Sequence, residues 1–307
     1  IKRGRATQEQ CDAVKAKIET HSDYAHLKPA QIVIEAVFED RAIKAQVSRA
    51  AEENTSNQTV IASNTSTLPI TGLAEAVDDP EKFIGLHFFS PVERMALVEI
   101  IRGEQTDDQT LAYALDLVAR LGKVPVVVND ARGFFTSRVF GTYITEGIGM
   151  LTEGISPVLI EQAGRISGMP MPPLALADEV GLGLMHQVGI QTKADLGDAY
   201  QANEATPVLE ALVINCARTG KGGGGGFYDY HDGGAKNLWP GLSDLFETKE
   251  TQPEVEHLIQ RFLSTQALES VRCIEQGVMI EAADIDYAAI MGWGFAPYTG
   301  GALDHDR

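Results

Sequence analysis

The chain has 307 residues, 44% of them hydrophobic and 22% charged, enough for two globular domains with their own cores. A formal net charge of −18 excludes a surface built to wrap nucleic acid, yet leaves room for a small anionic ligand held by local positive charge or backbone N–H groups. The three cysteines (Cys11, Cys216 and Cys273) form no CxxC, no apolar run reaches the roughly 20 residues of a membrane span, and no signal-peptide pattern is present; a reduced, cytoplasmic setting without a metal site is expected.

Residues 5–20 read as an amphipathic helix. "QIVIEAVFED" (31–40) reads as a buried strand, 40–54 as a helix, and "TVIASNTS" (59–66) as a second strand ending in small polar residues. "KFIGLHFF" (82–89) and "MALVEIIRG" (95–103) are two more strands, followed by a helix over 108–121 and a strand in "VPVVVND" (124–130). Strands and helices alternating in this way predict a largely parallel α/β sheet, with ligands beyond the carboxyl ends of its strands. "ASNTS" and "HFFS" both lie at such ends. From "RGFFTSRVFGTYITEGIGMLTEG" (132–154) onward the apolar spacing becomes helical, which predicts a boundary near 130 and an all-helical second half. Within that half Arg138, Glu146 and Gly154 recur at the same spacing as Arg261, Glu269 and Gly277, implying two related helical units. A formal GxGxxG at Gly220–Gly225, in "GKGGGGGFYDY", sits late in the helical half and reads as a flexible loop, not a phosphate cradle.

Five histidines (His21, His26, His231, His257 and His305) lie in polar, exposed-looking surroundings. His87 instead ends an apolar strand, and Glu99 interrupts the next one. Burying a polar group costs free energy unless it finds a partner, so the two either satisfy each other structurally or form a base and its orienting acid. The turn "SPVERM" could fold the second strand back beside the first and bring them together. No GxSxG nucleophile elbow is present, so acid–base work fits better than acyl transfer. "ASNTST" (62–67) is either a capped helix start or a polar clamp on a substrate oxygen.

Taken together, "VIEAVFED…K", "ASNTSTLPIT", "GLHFFSPV", "LVEII" and "GFFTSRV" resemble the L-3-hydroxyacyl-CoA dehydrogenase family, in particular the dehydrogenase part of the multifunctional β-oxidation proteins that also carry an enoyl-CoA hydratase domain (the alpha-subunit type). The resemblance implies a Rossmann-like α/β domain, incomplete at its N-terminus, over 1–130. An all-α domain with a duplicated unit would follow, over 131–235 and a truncated 236–307. It implies NAD as cofactor, an acyl-CoA substrate, and a homodimer or a complex with a thiolase subunit. His87 and Glu99 would be the catalytic pair, and Ser66 and Ser137 would bind substrate. Glu39, Lys44, Asn64, Ser66, Ser90 and Lys221 would line the cofactor. There are two departures. Ser137 stands where the family usually has asparagine, and the first strand, glycine loop and helix are absent, so a fragment that binds NAD poorly is expected. Other readings are a sister dehydrogenase acting on a sugar-derived hydroxyl or on hydroxybutyryl-CoA, and a non-catalytic dimerisation scaffold.

Overall fold

The computed structural model describes residues 6–231, 234–279 and 281–304, so His305 and the end of "GGALDHDR" lie outside it. Helix α1 (Gln8–Lys15) is shorter than its periodicity predicts. Thr7 and Gln10 close a capping box at its start, but none of its residues is buried, and a short helix without packing gains nothing from lengthening. Strand β1 (Ile32–Glu35) stops well before residue 40, and Asp40 then caps α2 (Arg41–Glu53) by accepting from Ile43 N at 3.0 Å. There follow β2 (Val60–Ser63), α3 (Ile70–Ala74), β3 (Phe83–Phe88), β4 (Leu97–Arg102), α4 (Asp108–Arg120) and β5 (Val124–Asn129). The five strands form one sheet in sequence order, parallel throughout except where β3 and β4 run antiparallel.

Side chains alternate across a strand, and here both faces are covered. Ile84, Leu86, Val98 and Ile100 face one way, packing with Ala114 and Val118 of α4. Phe83, Leu97, Ile101, Val126 and Val128 face the other way, into a core shared with α3 and the helical half. By the same alternation His87 and Glu99 point to this second face, toward the helices.

The helical half contains α5 (Thr136–Thr152), α6 (Pro157–Ile166), α7 (Pro173–Val180), α8 (Leu182–Leu196) and α9 (Ala205–Glu210). After these come a hairpin of β6 (Tyr228–Tyr230) and β7 (Lys236–Leu238), then α10 (Leu242–Leu245), α11 (Val255–Glu275) and α12 (Ala282–Ala288). The hairpin corrects the all-helical expectation. The buried Asp178 carboxylate creates it, accepting from Phe227 N at 2.8 Å and Tyr228 N at 2.9 Å. The glycine run before it is likewise a built turn, not a flexible loop. Gly220 N donates to Gly225 O at 2.8 Å, and a Cβ on Gly226 would collide with the Asp178 carboxylate.

The sequence repeat has a physical counterpart. Arg138 of the first unit donates to Glu269 of the second, and Arg261 of the second donates to Glu146 of the first at 2.7 Å. Gly154 (φ +80°) and Gly277 (φ +69°) follow the ends of α5 and α11, in the left-handed region where glycine carries no Cβ penalty. Tyr143 and Phe262 meet edge to face at 5.1 Å between the two helices. Gly147 lets α5 approach α7, because a Cβ there would sit 2.5 Å from the Pro173 ring. Gly147→Ala is therefore expected to destabilise the protein by about 1–3 kcal/mol through overpacking. Gly141→Ala, on the same helix with nothing within 4 Å of the new methyl, should be neutral or stabilising by up to ~1 kcal/mol. Urea midpoints of the two variants check this, and equal losses would refute it.

Candidate active site

Residues directly opposite on antiparallel strands hold their Cβ atoms about 5 Å apart on the same face. His87 of β3 and Glu99 of β4 are such a pair, and His87 Nδ1 lies 2.9 Å from Glu99 Oε2. Glu99 is completely buried. Its Oε1 accepts from Phe135 N at 2.9 Å and Thr136 N at 3.1 Å, and its Oε2 accepts from Thr136 Oγ1 at 2.6 Å. The carboxylate thus sits on the N-terminus of α5, where unsatisfied N–H groups favour negative charge. The turn that aims those groups is strained: Gly133 has φ +72° and Phe134, a bulky residue, has φ +51°.

Three of its contacts, Phe135 N, Thr136 N and the Thr136 hydroxyl, are donors, so Glu99 acts as a carboxylate acceptor; that puts the His87 proton on Nδ1 and leaves the free lone pair on Nε2. His87 is 5% exposed, with Phe89 4.5 Å and Phe134 6.1 Å away between ring centroids. Nε2 has no hydrogen-bond partner among the described residues. Among the described residues the one buried side-chain nitrogen or oxygen without a partner is Arg41 Nε, which places Nε2 on the opening that His87 retains. The arrangement can take up a proton at Nε2 and stabilise the resulting imidazolium at Nδ1. Nucleophilic chemistry finds little support: Cys273 is buried, and burial pushes its thiol up to about 11.

The other expected residues fall into two groups. Glu39, Lys44 and Asn64 are engaged inside the protein. Glu39 Oε1 accepts from the Thr65 hydroxyl at 2.6 Å, the Thr67 hydroxyl at 3.0 Å, Ser66 N at 3.1 Å and Thr67 N at 3.0 Å. Lys44 is 1% exposed, with its ammonium 3.2 Å from Glu35 and 3.4 Å from Glu39. It therefore presents no charge to a ligand and instead acts as the counter-ion of two carboxylates. Asn64 Oδ1 accepts from Phe88 N at 2.9 Å, bracing the end of β2 against the end of β3. Lys221 stands apart, paired with Glu179 at 2.5 Å on α7. Ser66 and Ser90 are exposed at the ends of β2 and β3, and Ser137 is half-buried in the first turn of α5; no described residue bonds their hydroxyls. The "ASNTST" stretch is thus mainly a clamp on Glu39, with Ser66 left over. His21, His26, His231 and His257 are exposed, as expected.

Two participants escaped the sequence reading. Glu35 is an acid inside an apolar strand, the same signal that marks Glu99. Thr136 lies within "GFFTSR", beside the serine that drew attention. From the helical half α8 reaches the start of α2 and the loop before α5, where Asp195 accepts from Arg41 at 3.2 Å and from Arg132.

Residues 1–131 match the family model of the 3-hydroxyacyl-CoA dehydrogenase NAD-binding domain, and residues 133–230 match that of the 3-hydroxyacyl-CoA dehydrogenase C-terminal domain. The chain belongs to the 3-hydroxyacyl-CoA dehydrogenase family. It is 37% identical over 304 residues to the fatty acid oxidation complex subunit alpha of Shewanella amazonensis, covering 98% of this chain and 42% of that protein. It thus spans about two-fifths of the length of the curated relatives it matches. Among solved structures, the (S)-3-hydroxybutyryl-CoA dehydrogenase of Ralstonia eutropha is 34% identical with a TM-score of 0.69, over 76% of this chain and 82% of that one. The 3-hydroxybutyryl-CoA dehydrogenase of Escherichia coli shares the fold (TM-score 0.78, 23% identity) over 96% of this chain and 78% of that one.

NAD is the cofactor to which this family's first domain is fitted. Ser66 and Ser90, at the ends of β2 and β3, keep hydroxyls that no described residue bonds, which are neutral donors a cofactor amide could use. Among the described residues no glycine-rich turn from strand to helix stands at the ends of β1–β3 to receive a pyrophosphate.

Burial works to raise the Glu39 carboxyl, but Thr65, Lys44, Thr67 and Ser66 outweigh it and leave the group below its ordinary 4.5. The unfolded chain then binds this proton more readily, so the contribution is present above about pH 4.5 and is lost as pH falls through the folded value. Glu39→Gln should flatten that part of the acid limb in urea midpoints measured against pH; an unchanged slope would refute the assignment.

Proposed function

We propose that the chain is the dehydrogenase region of an NAD-dependent (S)-3-hydroxyacyl-CoA dehydrogenase, oxidising the 3-hydroxyl to a 3-oxo group in fatty-acid β-oxidation. The observation that carries the reading is the imidazole of His87, held at Nδ1 by Glu99 and open at Nε2, at the end of a strand in a sheet whose carboxyl ends form the ligand crevice. His87 Nε2 removes the proton of the 3-hydroxyl. Glu99 stabilises the imidazolium as it forms, across 2.9 Å and away from water. Ser66 and Ser137 hold the reacting oxygen and the thioester carbonyl by donating from hydroxyls that the protein itself leaves unbonded. Serine at 137 reaches less far than the family's asparagine and works through a bridging water. NAD, when bound, would supply the hydride acceptor; Ser66 and Ser90 would hold its nicotinamide end, with Glu39 and Asn64 behind them. In the reverse direction His87 returns the proton.

Strand β1 is an edge of the sheet with Ile34 38% and Phe38 81% exposed. A further strand pairing along it, followed by a glycine loop, would supply the pyrophosphate cradle. Relatives named as alpha subunits of a fatty acid oxidation complex support a multifunctional setting with enoyl-CoA hydratase activity, with either a thiolase subunit or a second copy as partner. Free cysteines support a cytoplasmic location. No described helix is long and apolar enough to cross a membrane.

In the full-length polypeptide, NADH formation from an (S)-3-hydroxyacyl-CoA should fall about 10²–10⁴-fold in His87→Gln, the share a positioned general base supplies. Glu99→Gln should lower kcat in the same sense. A His87→Gln protein that keeps the parental rate would end the dehydrogenase reading.

A further inference from the structure

We infer that Thr136 is a positioning residue for the His87–Glu99 pair: its hydroxyl fixes which face of Glu99 Oε2 the imidazole meets. The inference rests on the dehydrogenase reading above. The terminal torsion of a glutamate is broad, so its carboxylate can rock unless both oxygens are held. Backbone N–H groups of Phe135 and Thr136 hold Oε1 alone, at 2.9 and 3.1 Å. Oε2 is shared by His87 Nδ1 at 2.9 Å and Thr136 Oγ1 at 2.6 Å. Among the described residues the hydroxyl is thus the one protein group besides the imidazole itself that sets the position of Oε2. Thr136 is 1% exposed, so water has no access to replace it.

The methyl of the same side chain has a separate role. It packs toward Gly292, whose added Cβ would lie 3.7 Å from Thr136 Cγ2. Packing and positioning can therefore be removed independently. Thr136→Val keeps the shape and the backbone N–H but leaves Oε2 with the imidazole alone. Thr136→Ser keeps the hydroxyl and loses the methyl.

In Thr136→Val, kcat should drop about 10- to 100-fold, the size a lost hydrogen bond to a charged acceptor supports, while KM for the acyl-CoA stays at the parental value. Thr136→Ser should lose some thermal stability yet keep kcat within a few-fold of the parent. A readout independent of turnover is the His87 Nδ1–H proton in selectively ¹⁵N-histidine-labelled protein. Held against a carboxylate it resonates far downfield, and it should move upfield or vanish in Thr136→Val and persist in Thr136→Ser. Parental kcat and an unmoved resonance in Thr136→Val would overturn the inference, as would a Thr136→Ser protein as slow as Thr136→Val. His87→Gln measured alongside keeps the two failures apart. If it is inactive while Thr136→Val is parental, only the role of Thr136 falls; if it is active, the dehydrogenase reading itself falls.

Discussion

The buried carboxylate of Glu99 joins its own strand β4 and the neighbouring β3 to the start of α5, 36 residues further on. An ionised group taken out of water costs several kcal/mol unless donors replace its hydration. Here β3 offers an imidazole and α5 offers two backbone N–H groups and a hydroxyl, all at 2.6–3.1 Å. Those donors fix the antiparallel register of β3 and β4, the entry angle of α5 and the tautomer of His87 together. A one-residue slip between the strands would turn His87 to the face that packs on α4 and leave Glu99 unpaired. The chemistry at Nε2 and the seam between sheet and helices therefore share one origin.

The same device recurs. Helices α3, α5 and α7 begin after Pro69, Phe135 and Pro172, none of which offers a capping side chain. Each is capped by a distant acid instead. Asp130 takes Ile70 N at 2.9 Å and Thr71 N at 2.7 Å, Glu99 serves α5, and Glu161 takes Leu174 N at 2.8 Å. A local cap is worth about 1 kcal/mol to its own helix. A cap supplied from elsewhere also ties two segments together, so local helix formation and tertiary packing become one event. Phe134 bears the strain of this arrangement, and the burial of its ring offsets that cost.

Much of this was legible in the residues. Apolar strands interrupted by a single ionisable group identified His87 and Glu99, and their spacing around "SPVERM" anticipated the antiparallel pairing. The repeat of arginine, glutamate and glycine marked α5 and α11, though not that each arginine would reach across to the other helix's glutamate. What stayed hidden depends on contacts between distant residues. Nothing local says that Lys44 turns inward to Glu35, or that Asp178 draws Phe227 and Tyr228 into a hairpin within a helical half. The glycine run looked flexible because glycine permits many conformations; at Gly226 the packing requires glycine, since a Cβ there would strike Asp178. Thr136 hid behind Ser137, since one residue along a helix start decides which side chain faces the sheet.

Glu39 and Glu161 show how donors, and not burial alone, decide what an acid does here. Both lie among packed groups, and in both burial works to raise the carboxyl. Glu39 gathers two threonine hydroxyls, the Ser66 N–H and the Lys44 ammonium, and ends below its ordinary value. Glu161 has the Tyr228 hydroxyl and two N–H groups of α7 but no cation in contact, and burial leaves it raised. Glu161 is also buried while Glu39 is only partly so, and Glu39 has the stronger set of donors, Thr65 first, with Lys44 added. Lys44, expected from the resemblance to line the cofactor, is a buried cation paired with Glu35 and Glu39, and it helps hold Glu39 low. A net charge of −18 gives a chain few cations to place in its interior, and this one goes beneath the ends of β1 and β2. The hydroxyls that the protein leaves unbonded nearby, on Ser66 and Ser90 at the ends of β2 and β3, are neutral donors.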